Sequence, residues 1–134
     1  MKITDITVNR IRAPQGDNAK SFVGRPGRLL LQIHTDEGIT GISEAGRNLK
    51  VVRAYLEELI KPLLVGTDPT RPRKIWELLT LGEGQQATRF PSQIVGSVDV
   101  ALWDIAGKSA NLPIYQLLGG ARRTDIPLYW SRGN

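Results

Sequence analysis

The chain lacks cysteine altogether and carries one histidine among its 134 residues. Without thiols it has no disulfide framework, no thiolate metal site and no cysteine nucleophile. The histidine, His34, lies within an alternating apolar segment, and no serine–histidine–aspartate set can be assembled around it from the nearby sequence. A packed or surface histidine is therefore favoured over a catalytic one.

Long apolar runs are also missing. No segment approaches the ~18 to 20 apolar residues that a membrane-spanning helix needs. The first residues alternate as a strand does, and no apolar stretch typical of a signal peptide follows Lys2. Apolar residues make up 40% of the chain and charged residues 23%, which suits one domain with a core. We expect a cytoplasmic domain without a membrane partner or a structural metal.

The net charge of +5 could indicate an acidic partner such as nucleic acid. The arginines and lysines are scattered, however, and they are not interleaved with the aromatic residues that RNA-binding modules use. We therefore expect no nucleic-acid partner. The charge is interpreted as a solvated basic surface, or as one that meets acidic surface in a larger protein.

The N-terminal third predicts a three-stranded antiparallel meander, because apolar and polar residues alternate in three segments. In the first strand, Ile6 and Val8 are expected to share a face with Thr4. The last two strands form a hairpin whose turn, 35–38, ends in a glycine where a positive φ is expected. The strands are expected at 3–11, 28–35 and 39–44.

The middle of the chain predicts helices, because apolar residues recur three or four positions apart. The first helix, 49–60, has an expected buried stripe of Val52, Leu56, Leu59, Ile60 and Leu63. Two more helices follow, at 72–81 and from about residue 94 to a left-handed stop at Asn111. The stripe of the long last helix is expected to be Ile94, Val98, Ala101, Leu102 and Ile105.

Two further details complete the predicted α+β fold. Asp104 and Lys108 are four residues apart on the expected solvent side of the long helix, in the favourable order of acid before base. A short helical turn at 114–118 and Gly119-Gly120 come next, and 125–131 is typical of a buried strand. Three antiparallel strands followed by a helical bundle place the helices on one face of the sheet.

Four segments, in this order, resemble the mandelate racemase/muconate lactonizing enzyme group of the enolase superfamily. They are LLLQIHTDEGITGISEA at 29–45, LLVGTDP at 63–69, VDVALWDIAGK at 98–108 and LPIYQLLGG at 112–120. The resemblance extends over about residues 1–131 and implies an N-terminal capping domain, here 1–120. Residues 121–134 would then be the linker and first strand of a (β/α)8 barrel on which the cap sits.

The resemblance also implies a chemistry. The family abstracts a proton α to a carboxylate with a lysine or histidine on the barrel, and a divalent metal, usually Mg²⁺, holds the enediolate. A barrel needs roughly 250 residues, so we expect these 134 residues to be a cap without its barrel. We expect no catalytic residue and no metal ligand in this chain, and no activity from it alone. Mg²⁺ is implied for the full-length enzyme, a sugar-acid dehydratase or a racemase/epimerase.

In the family, two loops of the cap close over the substrate and set specificity. By position they correspond here to the segments around 20–25 and 45–48, so the expected substrate-binding residues are Phe22, Val23, Arg25, Arg47 and Asn48. The apolar pair would contact substrate, and an arginine would suit an acid-sugar carboxylate. The alternatives are ordinary loop residues and, for Asn48, a cap of the following helix. Glu44, at a strand end, is interpreted as a solvated acid.

The expected partners are the C-terminal barrel, an acid-sugar or other carboxylate substrate, and further copies of the chain in a homo-oligomer. Unpaired strand edges and an apolar seam favour that self-association. A different class of function stays open, in which the chain is a free-standing binding or assembly module of the same fold without catalytic chemistry.

Overall fold

The structure is a computed structural model that describes residues 1–11, 28–46, 48–81 and 90–129. Its sheet has three antiparallel strands in the order β1 (Ile3–Ile11), β2 (Arg28–Thr35) and β3 (Thr40–Glu44). The predicted meander is therefore confirmed. In the turn between β2 and β3, Gly38 has a φ of +78°, as the sequence predicted, because a side chain would be strained in that conformation.

A β-bulge in β1 changes which side chains face the core. Ile3 pairs with Thr35 and Asp5 with His34, so two steps along β1 correspond to one along β2. Ile3 is consequently buried together with Ile6 and Val8, whereas Thr4 is exposed. The expectation that Thr4 shares the core face was wrong, because the extra residue reverses the alternation of the strand.

The helices follow the sheet and cover its core face, where Leu29, Leu31 and Ile33 of β2 are fully buried. Their bounds are α1 (Leu49–Tyr55), α2 (Lys61–Leu64), α3 (Pro72–Leu81), α4 (Ser92–Ala110) and α5 (Ile114–Leu117), with a π-helical segment (Leu56–Ile60) between α1 and α2. Among the helices in the described ranges, none is long and apolar enough to cross a lipid bilayer.

The first helical segment continues past its expected end because it contains a π-helical turn. The Lys61 N–H donates to the carbonyl oxygen of Leu56, five residues earlier. This wider turn accommodates Pro62, whose ring would clash with a carbonyl in a regular α-helix. The expected stripe was partly wrong, since Leu59 and Leu63 are 40% and 44% exposed. The buried positions recur every four residues, at Val52, Leu56, Ile60 and Leu64.

Helix α4 confirms its predicted stripe and ends at Asn111, which has a φ of +53°. All five expected positions of the stripe are buried. Asp104 and Lys108 form the predicted pair, with 2.7 Å between Lys108 Nζ and Asp104 Oδ2. Lys108 is 45% exposed, as expected for the solvent side of the helix, whereas Asp104 is 23% exposed. Both side chains also bond to the backbone of β3, which the sequence did not indicate.

Residues 125–129 do not form the expected buried strand. Ile126, Leu128 and Tyr129 are 71%, 93% and 89% exposed, and no strand of the described sheet lies beside them. A strand is stable only when its backbone groups pair with a neighbour, and this segment has none among the described residues. The remaining residues of that predicted strand, 130 and 131, lie outside the described residues.

Helix α4 and β3 approach each other most closely at Gly41. A Cβ atom at this position would lie 2.1 Å from the carbonyl oxygen of Ala101 and 2.7 Å from Cγ1 of Ile105. The first contact is with backbone, which cannot rotate away. A glycine at position 41 is therefore required for α4 to pack directly on β3.

We expect Gly41→Ala to lower the free energy of unfolding by more than about 3 kcal/mol, because α4 must move away from the sheet. Gly96→Ala is the matched control, since a Cβ there meets nothing within 4 Å and the residue is exposed in the interior of the same helix. It should stabilise the chain by about 0.5 to 1 kcal/mol. Denaturant unfolding measures both values, and a mild effect of Gly41→Ala would contradict the close packing.

The bulge of β1 is tied to α2 by an ion pair between Asp5 and Lys61. The hydrogen bond from Lys61 lowers the pKa of Asp5, and a bond from the Ile6 N–H to Asp5 Oδ1, 2.8 Å long, acts in the same direction. The carboxylate thus stabilises the fold above the unfolded-state pKa, and this stabilisation is lost as the pH falls through the lower folded-state pKa.

Asp5→Asn should therefore reduce the loss of stability on acidification below about pH 4. Lys61→Met should flatten the acid response in the same way, because the pKa of Asp5 then returns toward its ordinary value. Unfolding free energies measured between pH 7 and pH 2.5 test both variants. An acid response of Asp5→Asn equal to that of the unmodified chain would show that the pair is not a determinant of acid stability.

Candidate functional site

Both segments that the sequence singles out as substrate loops leave the sheet at the same end. Ile11, the last residue of β1, pairs with Arg28, the first residue of β2, so segment 12–27 leaves and returns at this point. Glu44, the last residue of β3, pairs with Leu30, two positions along β2 from Arg28. We call this the loop end of the sheet, defined by Ile11, Arg28 and Glu44.

An ion pair joins the stems of the two loops. Arg28 Nη1 lies 2.5 Å from Glu44 Oε1, across the end of the β2–β3 hairpin. The two side chains are 59% and 54% exposed, so solvent screening leaves the pair little stabilising energy. The β2–β3 register brings the start of β2 beside the end of β3, and the pair marks where the two stems meet. Glu44 is thus an ion-paired strand-end acid.

The stem of the second loop is held from the buried side as well. The Ala45 N–H donates to the Leu29 carbonyl over 2.8 Å, and Ala45 is 1% exposed. The Ser43 hydroxyl donates to the carbonyl of Ser97 on α4 over 2.6 Å. The Ser97 hydroxyl in turn lies 3.0 Å from the carbonyl oxygen of Glu44. The backbone at 43–45 is therefore fixed to β2 and α4 at the point where the loop begins.

Asn48 is the only expected substrate-binding residue within the described ranges, and it caps α1. Its Oδ1 accepts a hydrogen bond from the Val51 N–H over 3.3 Å, and its backbone is extended, with φ −97° and ψ 98°. The capping alternative is therefore confirmed. The oxygen of the side chain is engaged by the helix, which leaves the NH₂ group of the amide for a ligand.

The other four expected binding residues lie outside the described residues. They are Phe22, Val23, Arg25 and Arg47. Their roles stay predictions. The structure shows only that the strand ends from which their two segments start lie close together. For Arg47 the flanking residues Gly46 and Asn48 are both placed, at the loop end and at the start of α1.

His34 lies away from the loop end, near the opposite end of β2. Its Nε2 is 3.2 Å from the Thr7 hydroxyl and its Nδ1 is 3.2 Å from the Thr40 hydroxyl. The ring is half-buried and lies between Thr7 on β1 and Thr40 on β3. These three side chains are on the sheet face that the helices do not cover. Both ring nitrogens have neighbours typical of a structural histidine.

The described residues offer no metal site. Across 1–11, 28–46, 48–81 and 90–129, no three histidine or carboxylate side chains converge as metal ligands would. Asp99 and Asp104, both on α4, have different surroundings: burial raises the pKa of Asp99, whereas Asp104 bonds to Lys108 and β3. The Mg²⁺ that the family resemblance implies does not fit this part of the chain.

Sequence reasoning missed Ser97 and Arg28 as residues that fix the loop stems. Ser97 carried a readable signal, since it lies four residues before Ala101 on the apolar stripe of α4, and a polar residue there must find a hydrogen-bond partner when buried. It is 7% exposed. Arg28 carried no such signal, because its partner Glu44 is distant in sequence and becomes adjacent only when the hairpin forms.

Comparison with known proteins identifies the family of this domain. A family model described as the mandelate racemase/muconate lactonizing enzyme N-terminal domain matches residues 6–119. The chain belongs to this family. Both the resemblance and the α+β fold predicted from the sequence are thereby confirmed.

Curated relatives of this domain carry dehydratase names. A D-galactonate dehydratase family member from Halomonas elongata is 44% identical over 118 residues, which cover 84% of this chain and 29% of the relative. A D-mannonate dehydratase from Caulobacter vibrioides is 42% identical over 117 residues, which cover 84% of this chain and 29% of the relative. The chain thus spans less than a third of the length of the relatives that it matches.

Solved structures are similar as well. An enolase of the mandelate racemase subgroup from Agrobacterium tumefaciens aligns with a TM-score of 0.66 at 36% identity, over 90% of this chain and 30% of that one. A mandelate racemase/muconate lactonizing family protein from Azoarcus aligns with a TM-score of 0.69 at 33% identity, over 90% of this chain and 31% of the other. The domain thus corresponds to about a third of each of these larger proteins.

Asn48→Ala should lower the free energy of unfolding by about 1 kcal/mol, because the Val51 N–H at the start of α1 loses its acceptor. Asn48→Asp is the control, since it keeps an oxygen at the same place and should remain close to the unmodified chain. Denaturant titrations followed by far-ultraviolet circular dichroism measure both. If the two variants lost the same stability, Asn48 would not act through its cap.

Proposed function

We propose that this domain covers the substrate site of a sugar-acid dehydratase of the enolase superfamily and selects its substrate. In this proposal residues 1–120 form the capping domain, and catalysis takes place on the (β/α)8 barrel of the full-length enzyme. The observation that carries the proposal is the meeting of both loop stems at one end of the sheet, with Arg28 and Glu44 in contact across them.

A capping role needs a rigid base and adaptable loops. The base is present here, since the strand ends are fixed by the sheet register, by the Ala45–Leu29 hydrogen bond and by the contacts with Ser97. Loops that close over a substrate exclude water and complete the binding site. Two loops that start side by side can close over one substrate, whereas loops from opposite ends of the sheet could not.

The residue types in the two loops suit a hydroxylated carboxylate. Arg25 or Arg47 would bind a carboxylate through two parallel hydrogen bonds, which few other side chains can make. Phe22 and Val23 would cover the carbon chain, and the amide NH₂ of Asn48 would donate to a hydroxyl. None of these groups removes the α-proton, so the domain contributes selection and exclusion of water.

Dehydration is favoured over racemisation, because of the curated relatives described above one is named a D-mannonate dehydratase and the other a member of the D-galactonate dehydratase family. Proton abstraction and Mg²⁺ binding are assigned to the barrel, in line with the chemistry that the family resemblance implies. The chain alone should then be inactive on sugar acids. A cytoplasmic location and a homo-oligomeric full-length enzyme stay predictions.

The decisive test is a domain exchange. Residues 1–119 should replace the matching N-terminal domain of the Caulobacter D-mannonate dehydratase, which is 42% identical to this chain over 117 residues. The chimera should keep α-proton exchange in D₂O but change its order of preference, measured as kcat/KM, among a panel of sugar acids. Activity of the isolated chain, or a chimera with unchanged preference, would contradict a selecting role.

Loop substitutions in the chimera give a finer test. Arg47→Ala should lower kcat/KM for the preferred sugar acid roughly tenfold or more, because a carboxylate contact is lost. Arg73→Ala is the matched control, since Arg73 is 89% exposed on α3 and pairs only with Glu77 among its described neighbours. Equal effects of the two variants would contradict a carboxylate contact made by Arg47.

A further inference from the structure

The outer edge of β3 is bonded to the side chains of α4. An edge strand normally presents unpaired N–H and C=O groups, which attract another strand. Here the Ile42 N–H donates to Asp104 Oδ2 over 2.9 Å, and Lys108 Nζ donates to the Thr40 carbonyl over 2.7 Å. At the end of the strand, the Ser97 hydroxyl lies 3.0 Å from the carbonyl oxygen of Glu44.

The spacing of these residues on α4 matches the strand. An α-helix turns by about 100° per residue. Asp104 and Lys108, seven and eleven residues after Ser97, therefore project from the helix within about 20° of the direction of Ser97. The stretch from Ser97 to Lys108 is about 16 Å long at 1.5 Å per residue, and the stretch 40–44 is about 13 Å long at 3.3 Å per residue. Ser97 meets Glu44 and Lys108 meets Thr40, so α4 runs antiparallel to β3.

We propose that α4 takes the place of a fourth strand at this edge, and that Asp104 and Lys108 act as a clamp. The clamp holds β3 in position and closes its outer edge to another strand. Gly41 is part of the arrangement, because a side chain there would push α4 out of reach. The clamp acts at the start and the middle of β3, whereas the end from which the second loop starts lies beside Ser97 of the same helix.

The contacts distinguish a clamp from an ordinary surface ion pair. Arg73 and Glu77 on α3 form an ion pair with the same four-residue spacing, 3.2 Å long, and it touches no strand of the described sheet. Asp104 by contrast is 23% exposed and accepts from Lys108 and from the backbone of β3 with the same Oδ2 atom. A charged acceptor makes a stronger bond to an N–H than a neutral one does.

Hydrogen exchange of single amides, read by NMR on this chain, tests the clamp. In Asp104→Ala the Ile42 amide should exchange at least about tenfold faster relative to the Leu31 amide of the central strand, because its acceptor is gone. Glu77→Ala is the matched control and should leave this ratio unchanged. Asp104→Asn keeps an oxygen acceptor without the charge and should restore most of the protection.

The ratio separates a local effect from general loss of stability, which would speed both amides together. An Ile42/Leu31 ratio in Asp104→Ala equal to that of the unmodified chain would overturn the proposal, and so would the same change in Glu77→Ala. If Asp104→Ala does not fold, Lys108→Met gives the second test. It should shift the Ile42 amide resonance by changing the charge next to Asp104, and an unmoved resonance would overturn the clamp.

Self-association of the chain tests whether the clamp closes the outer edge of β3. The double variant Asp104→Ala/Lys108→Met should show association that rises with concentration in sedimentation velocity, beyond any shown by the unmodified chain, because the edge is then open to a second copy. Glu77→Ala/Arg73→Met is the matched double control and should behave as the unmodified chain. Equal behaviour of the two double variants would contradict the closing role.

Discussion

The fold depends on the contact of a long helix with an edge strand at a glycine. Because Gly41 has no side chain, the backbone of α4 at Ala101 lies directly on β3. The apolar stripe of α4 then covers the core face of the sheet, where Leu31 and Ile33 are fully buried. The same closeness lets polar side chains of α4 reach the backbone of β3. One steric condition thus permits both the packing of the core and the hydrogen bonds at the edge of the sheet.

The same contact organises the loop end. The Ser97 carbonyl of α4 accepts a hydrogen bond from the Ser43 hydroxyl, and the Ser97 hydroxyl lies beside the carbonyl oxygen of Glu44. Arg28 pairs with the Glu44 side chain from the neighbouring strand. The start of the second loop is thereby fixed on both sides of the strand. A rigid base beneath two loops is what the proposed capping role requires.

Local patterns predicted most elements, and they failed where two elements interact. The phase of β1 was misjudged at Thr4, because the bulge exists only against its partner strand β2. The inward face predicted for the first helical segment was wrong at Leu59 and Leu63, because the segment contains a π-helical turn that a regular α-helical period does not describe. The apolar residues at 125–129 were expected in a strand, but a strand needs a neighbour that the described sheet does not provide.

By itself the sequence determined the order of strands and helices. It also determined the positive φ at Gly38 in the hairpin turn and at Asn111 at the end of α4, and the cap at Asn48. Each of these features depends on residues only a few positions apart. It also carried the motifs by which the family is recognised. Only the tertiary structure decided that Asp104 and Lys108 bond to β3 and that Arg28 pairs with Glu44. Those contacts join residues far apart in the chain, and no local period or propensity records which distant backbone a side chain will reach.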